Sequence, residues 1–453
     1  MKKLKKLSLL FILIGILAVG CQIEKNSESV SSTETQQQGG ISLKAWIIAN
    51  TALAEPFFVQ TLEPYMEQHN NITIDIKVLS WDTAWSDITS AITSGEGPDI
   101  VQLGTTWVPA IASMNGLDDL TNRVGEVGGG EAYLPASWKT TMIEGKPNVY
   151  AVPWFVDARV LFYRKDAFQA AGVDPNTAFQ DWSSFKEALQ KVNGIEINGQ
   201  KMTALGVPGK NDWNVAHNIL PWMWSAGAEV LTPDNKSAVF NDKQALEGIM
   251  YYTGLAQDGL VDLASLGKNS SQIENDFADG KTAALVSGPW LLKDFEISRD
   301  NGGLGGVIDK ANIGLAPLPM GPEKRSTFIG GSNLAVFQTS KHKDAAWELI
   351  RYLSSDEAQL AYSKRLGMLP AKRSLLDSKA PIEELGYAAF AEATKYGQTY
   401  PSIPQWGSIE TALVKHFGEI WSIAADQTGR YSEEAVQEQL DAAVREIDII
   451  LAQ

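Results

Sequence analysis

From Ile41 to about Gly116 the chain swings repeatedly between two hydrophobic periods, and that alternation restricts its fold more than any other feature of its 453 residues. Residues 42–50 form a mostly apolar run that predicts a strand. Pro56 suits a first helical turn, and Phe57, Phe58, Leu62, Tyr65 and Met66 follow at helical spacing. Ile72, Ile74, Ile76 and Val78 then alternate with Thr73, Asp75 and Lys77, the two-residue period of a pleated strand. Asp82 can cap a helix striped by Trp85, Ile88 and Ile92 and stopped at Gly95. A third strand, 99–104, leads into a short helix that opens at Thr105 or Thr106 and stops near Gly116. Strand–helix alternation predicts an α/β lobe with a mostly parallel sheet. In open sheets of this kind ligands bind beyond the carboxyl ends of the strands. Those ends carry Asn50, then Trp81 with Asp82, then Thr105, Thr106 and Trp107, so two indoles and several polar side chains converge on one rim.

The N-terminus carries a different message. Lys2, Lys3, Lys5 and Lys6 precede an apolar run, Leu7 to Val19, broken only by Ser8 and Gly15. That run is shorter than the roughly 20 residues needed to span a bilayer and ends in small residues, so residues 1–20 are expected to be an export signal. The sequence LAVGC resembles a bacterial lipobox, with Ala18 where leucine is commoner, and Cys21 would be the acylated residue. An unpaired thiol outside the cell is otherwise a liability. Residues 21–40, rich in Gln, Ser, Thr and Gly, cannot bury enough apolar surface to offset ordering and are expected to be a flexible tether. Loss of the four signal lysines takes the net charge from −16 to −20, which disfavours nucleic acid and anionic lipid as partners. With Cys21 acylated no thiol remains for a disulfide. His69, His217, His342 and His416 are not spaced as a ligand pair, so no metal site and no cofactor is expected.

Past residue 150 a second alternating pattern begins. VYAVPWFVDARVLFYRKDAF starts extended, DWSSFKEALQKV is an amphipathic helix near Asp181 or Ser183, and the apolar helix around HNILPWMWSAG is broken or begun at Pro221. From Lys343 onward nearly everything is helical, ending in the periodic stretch Glu433 to Leu451. There is no internal repeat.

Several stretches together resemble the extracellular solute-binding proteins of bacterial ABC importers, in particular their large carbohydrate-binding class, the maltose-binding-protein-like group. They are SGEGPDIVQLGTTWVPAIASMNGLDDLT, YAVPWFVDARVLFYRKDAFQAAGVD with DWSSFKEAL, FADGKTAALVSGPWLL, and GGSNLAVFQTSKHKDAAWELIRYLSS followed by GMLPAKRS. They cover most of Ser80 to Arg373 in the order that the family shows. The resemblance implies a two-lobed, periplasmic-binding-protein-like fold of type II, each lobe a mixed sheet flanked by helices. It implies crossovers near Trp154 to Arg159, near residues 305–312 and near Ser354–Asp356. The N-terminal lobe would then comprise 41–154 and 311–354, the C-terminal lobe 155–310 and 355–453.

A pyranose presents C–H faces to an indole and an equator of hydroxyls to carboxylates, amides and guanidinium groups, so a sugar site needs aromatic plates with convergent Asp, Asn and Arg. Among the fourteen tryptophans, Trp107 and Trp81 lie on the derived rim beside Asp82, with helix capping the rival role for Asp82 and core packing that for Trp107. The resemblance further implies cleft roles for Asp157, whose alternative is a partner for Arg159, and for Trp290 in SGPW. Gly330, Gly331 and Ser332 would let backbone approach the ligand. Trp406 would complete the second-lobe wall, and Trp213 follows a strand end. Trp222 and Trp224, two apart on a helix, cannot both face one side, so one belongs to the core. Arg373 reads as surface, and Trp85, Trp138, Trp182, Trp347 and Trp421 as packing.

The function implied is capture without catalysis. A monomeric lipoprotein on the outer face of the cell membrane would close on a disaccharide or oligosaccharide and deliver it to a membrane permease. Rival readings are a non-sugar solute on the same scaffold, a chemosensory role, and an exported glycoside hydrolase, which would need two carboxylates about 5–10 Å apart across the scissile bond.

Overall fold

The computed structural model describes residues 40–209, 212–306, 308–378, 382–383 and 386–453. The expected export signal, Cys21 and nearly all of the expected tether lie outside the described residues. Two sheets organise the chain from Gly40 onward.

The first sheet begins with β1 (Ile41–Ile48), β2 (Ile72–Leu79) and β3 (Ile100–Gly104), all parallel, in the order β2-β1-β3. β2 is the edge strand, and its alternation survives as half-buried Ile74, Ile76 and Val78 between exposed Thr73, Asp75 and Lys77. The sheet continues with β4 (Val152–Ala158), β11 (Thr327–Val336) and β12 (Leu369–Pro370), ordered β12-β4-β11-β3 with every contact antiparallel. It is therefore mixed; along its main strand order the expected parallel pairing holds for the first three strands. β13 (Gly397–Gln398) adds a short parallel pairing to the start of β11.

The second sheet contains β5 (Val160–Arg164), β8 (Thr203–Gly206), β9 (Thr282–Ser287) and β10 (Ile313–Ala316), in the order β10-β5-β9-β8. A separate hairpin pairs β6 (Glu196–Ile197) with β7 (Gln200–Lys201). The helices Trp182–Val192, Asn214–Ser225, Lys243–Gln257, Trp406–Ala424 and Glu433–Leu451 bury their apolar faces in one cluster with this sheet. Asp181 caps the first of them in a reciprocal pair with Ser184, and Pro221 is accommodated inside the second.

Only Arg159 separates β4 in one sheet from β5 in the other. The chain returns between β10 and β11, later than residues 305–312, because β10 pairs with β5. Ser354–Asp356 is not a crossing: Ser355 caps another helix, Asp356–Leu366, whose Tyr362 stacks on Trp154 of β4 at 4.3 Å, and β12 then pairs with β4. The chain joins the second-lobe cluster only at Tyr400. All three passes lie side by side. Arg159 N–H donates to the Phe328 carbonyl (3.2 Å), the Thr327 hydroxyl donates to the Arg159 carbonyl (2.7 Å), and Thr327 and Phe328 pair with Gly397 and Gln398.

Candidate functional site

A cavity of about 750 Å3 opens between the carboxyl ends of the first sheet and a set of helix ends and loops contributed by residues 213–217, 270–274, 290 and 407–411. Its first wall is the rim of carboxyl ends. Asn50 follows β1, Trp81 and Asp82 open the helix Trp81–Ser94, and Trp107 follows β3. Ser80, not Asp82, is the N-cap residue of that helix, and Asp82 stands exposed in the first turn. The Trp81 indole N–H donates to Asn50 Oδ1 (3.2 Å). Trp107 meets Trp81 and Trp85 edge-on, at 5.4 and 5.6 Å between ring centres, so three indoles brace one another. Trp81 stays 40% exposed and Trp107 is nearly covered.

The floor is the crossing region. Gly331 of β11 has φ +128°, and a Cβ there would lie 2.2 Å from the Phe155 carbonyl oxygen, so only glycine brings these strands this close. Beside it, the buried Ser332 hydroxyl accepts from Gln102 Nε2 (2.9 Å) and braces β11 against β3. Arg159 donates through Nε to Asp157 Oδ2 (3.1 Å) and through Nη2 to Asn214 Oδ1 (2.9 Å), and its guanidinium lies 4.5 Å over the Trp290 ring. Burial pushes the Asp157 carboxyl up, against the opposing pull of Arg159. Its Oδ1 is buried without a partner.

The second wall comes from four segments. Trp213, 42% exposed, precedes the helix Asn214–Ser225. His217 of that helix stacks on Phe328 (4.1 Å) and shares a hydrogen bond with the Tyr400 hydroxyl. Burial first, then Arg159, holds the imidazole well below its ordinary pKa and so neutral. Glu274, on the helix Ser270–Ala278, accepts from Ser287 Oγ (2.7 Å) and Trp290 Nε1 (3.0 Å). Gly288 leaves the Trp290 ring its place, since a Cβ there would fall 1.8 Å from it. Gly407, Ser408 and Thr411 bring one end of the helix Trp406–Ala424 to the cavity edge.

Residues 46–360 match the family described as bacterial extracellular solute-binding protein. The chain belongs to that family. This solute-binding protein is 25% identical over 425 residues to the diacetylchitobiose binding protein DasA of Streptomyces coelicolor, covering 88% of this chain and 91% of that one. It superposes on the sugar-binding protein MalE of Xanthomonas citri with a TM-score of 0.72 at 25% identity, over 91% and 97% of the two chains. It also superposes on a solute-binding protein of Thermotoga lettingae bound with α-D-tagatose, with a TM-score of 0.77 at 22% identity, over 91% and 100%. The type II two-lobed fold is shared with these structures.

In this solute-binding protein the cavity gathers Asn50, Trp81, Asp82, Trp107, Asp157, Trp213, Trp290, Gly331 and Ser332. Trp406 is a correction. It is 0% exposed, stacks on Tyr400 at 4.6 Å and belongs to the second-lobe core, because its helix turns the Ile409, Leu413 and Phe417 stripe inward. Trp222 and Trp224 are both core residues: Trp222 packs on Phe185 and Tyr252, and Trp224 lies near Tyr400. Trp85, expected only to pack, also lines the cavity, as do His217 and Glu274. The signal for Glu274 was slight, an acid next to Ile273 and three residues before Phe277 on the face that this helix buries. Beneath the second wall lies the fully buried Glu410, 3.7 Å from His217 Nε2 and without a well-formed hydrogen bond. Burial pushes its carboxyl up to about 8, outweighing the nearby Thr106 hydroxyl and Trp213 indole. Among the described residues no cluster of His, Cys, Asp and Glu is placed to hold a metal ion, and no helix is long and apolar enough to cross a membrane.

Proposed function

We propose that this protein is the receptor of an ABC-type sugar importer, held to the outer face of the membrane by a lipid on Cys21. It captures a disaccharide or oligosaccharide between its lobes and delivers it to the permease. The observation that carries the reading is the cavity between the two walls, which takes indoles from both and polar groups from wall and floor alike. At about 25 cal/mol per Å2 of apolar area, an indole covering several tens of Å2 of sugar contributes about 1–2 kcal/mol. Three such plates with a few hydrogen bonds reach micromolar affinity, about −8 kcal/mol. The diacetylchitobiose named for DasA, the α-D-tagatose bound by the Thermotoga protein and the description of the Xanthomonas MalE as sugar-binding support the ligand class.

Binding rather than turnover fits the inner carboxylates, since Asp157 is tied to Arg159 and Glu274 to Trp290 and Ser287. Titration against a glycan panel, followed by tryptophan fluorescence and melting temperature, tests the proposal. A bound glycan is expected to shift both signals and to be recovered uncleaved. Trp81→Ala and Trp290→Ala are each expected to weaken it tenfold or more. No response from any glycan, or unchanged affinity in both variants, removes the assignment.

A further inference from the structure

The inner end of the cavity holds two buried carboxylates with acceptor capacity to spare. Asp157 and Glu274 are each 7% exposed. Asp157 spends Oδ2 on Arg159 and leaves Oδ1 buried and unpartnered. Glu274 takes both its donors, Ser287 and Trp290, on Oε1. Asp82 adds a third carboxylate at the rim.

Cations do not balance them. Among the described lining residues Arg159 is the one guanidinium or ammonium, and it is committed to Asp157, Asn214 and the face of Trp290. His217 is neutral. The N-terminus of the helix Ser270–Ala278 reaches the cavity edge, where it could have drawn an anion. Its Ser270 N–H instead donates to the Asp212 carboxylate.

We propose that Glu274 is a specificity-determining residue of this cavity: with Asp157 it makes the inner end seek donors and reject anions, so the ligand is an uncharged saccharide, and uronates and sugar phosphates are turned away. The inference rests on the saccharide reading above. The physical reason is an asymmetry of cost. A hydroxyl can donate its hydrogen to either buried oxygen, whereas a ligand carboxylate or phosphate brings a negative charge into a desolvated site that offers it acceptors and no free cation. The same carboxylate positions Trp290 through the indole N–H, which couples the charge filter to the aromatic plate.

The test uses paired disaccharides that differ only at C6 of one ring, hydroxymethyl in one member and carboxylate in the other. Dissociation constants are measured by calorimetry on the full mature protein. The wild type is expected to bind the neutral member at least tenfold more tightly in any pair that binds. Glu274→Gln keeps an oxygen for Trp290 and removes the charge, so it is expected to narrow that ratio fivefold or more while the neutral member loses less than it does in Trp290→Ala. Asp157→Asn, checked for its melting temperature, supplies a second variant with the same expected direction. Equal binding of both members by the wild type overturns the inference whatever the variants do. So does an unchanged ratio in both folded variants. Either result leaves the saccharide reading standing, whereas failure of every pair and every other glycan to bind removes that reading and the inference with it.

Discussion

Glu410 shows how one side chain can be costly and still be kept. It is wholly buried, and burial raises its carboxyl to about 8, against about 4.3 in an unfolded chain. Between those values the folded protein retains a proton that the unfolded chain releases, so its contribution to stability falls as pH rises through that window. Asp294, pushed up to about 8 chiefly by burial, acts in the same direction. His217, held below its ordinary value, acts in the opposite direction, but only below about pH 6.5. The melting temperature is therefore expected to fall by a few degrees between pH 6.5 and 8.5, and Glu410→Gln is expected to flatten part of that slope. A scan at constant ionic strength checks it; identical slopes in the two proteins would place the proton elsewhere. None of this was legible in the sequence, because Glu410 becomes buried only when Thr106, Trp213 and His217 meet around it from distant parts of the chain. Asn50, Trp81 and Trp107 were legible, since their positions follow from where short strands end.

At the scale of elements, local periodicity located the strands and helices well and their partners poorly. β10 looks like any short apolar strand, and nothing within Ile313–Ala316 says that it pairs antiparallel with β5. The helix Asp356–Leu366 likewise carries no mark of the sheet on which it packs, which is why the third crossing was expected too early. Trp406 could have been placed correctly. Ile409, Leu413, Phe417 and Ile420 follow it at three- and four-residue steps, the signature of a buried stripe with Trp406 at its head. Removing that ring should cost packing rather than recognition. Trp406→Ala is expected to lower the unfolding free energy by about 3–5 kcal/mol in urea and to leave glycan affinity within about threefold once the folded fraction is taken into account. A selective loss of affinity at full stability would return Trp406 to the cavity.

At the scale of the whole molecule the walls belong to different lobes, so a saccharide that touches both binds a closed arrangement better than an open one. Ligand is then expected to reduce the radius of gyration in small-angle X-ray scattering, and Trp213→Ala, which strips one wall of its exposed indole, is expected to reduce that change at a fixed ligand concentration. Identical scattering with and without saturating ligand would mean that the lobes are already as near as they come. Because Arg159, Thr327–Phe328 and Gly397–Gln398 run abreast and are bonded across their width, the join between the lobes is a strap rather than a thread. A strap bends readily about one line and resists sideways slip, so the jaws return to the same alignment on every stroke, and a permease would meet one reproducible face instead of a scatter of poses.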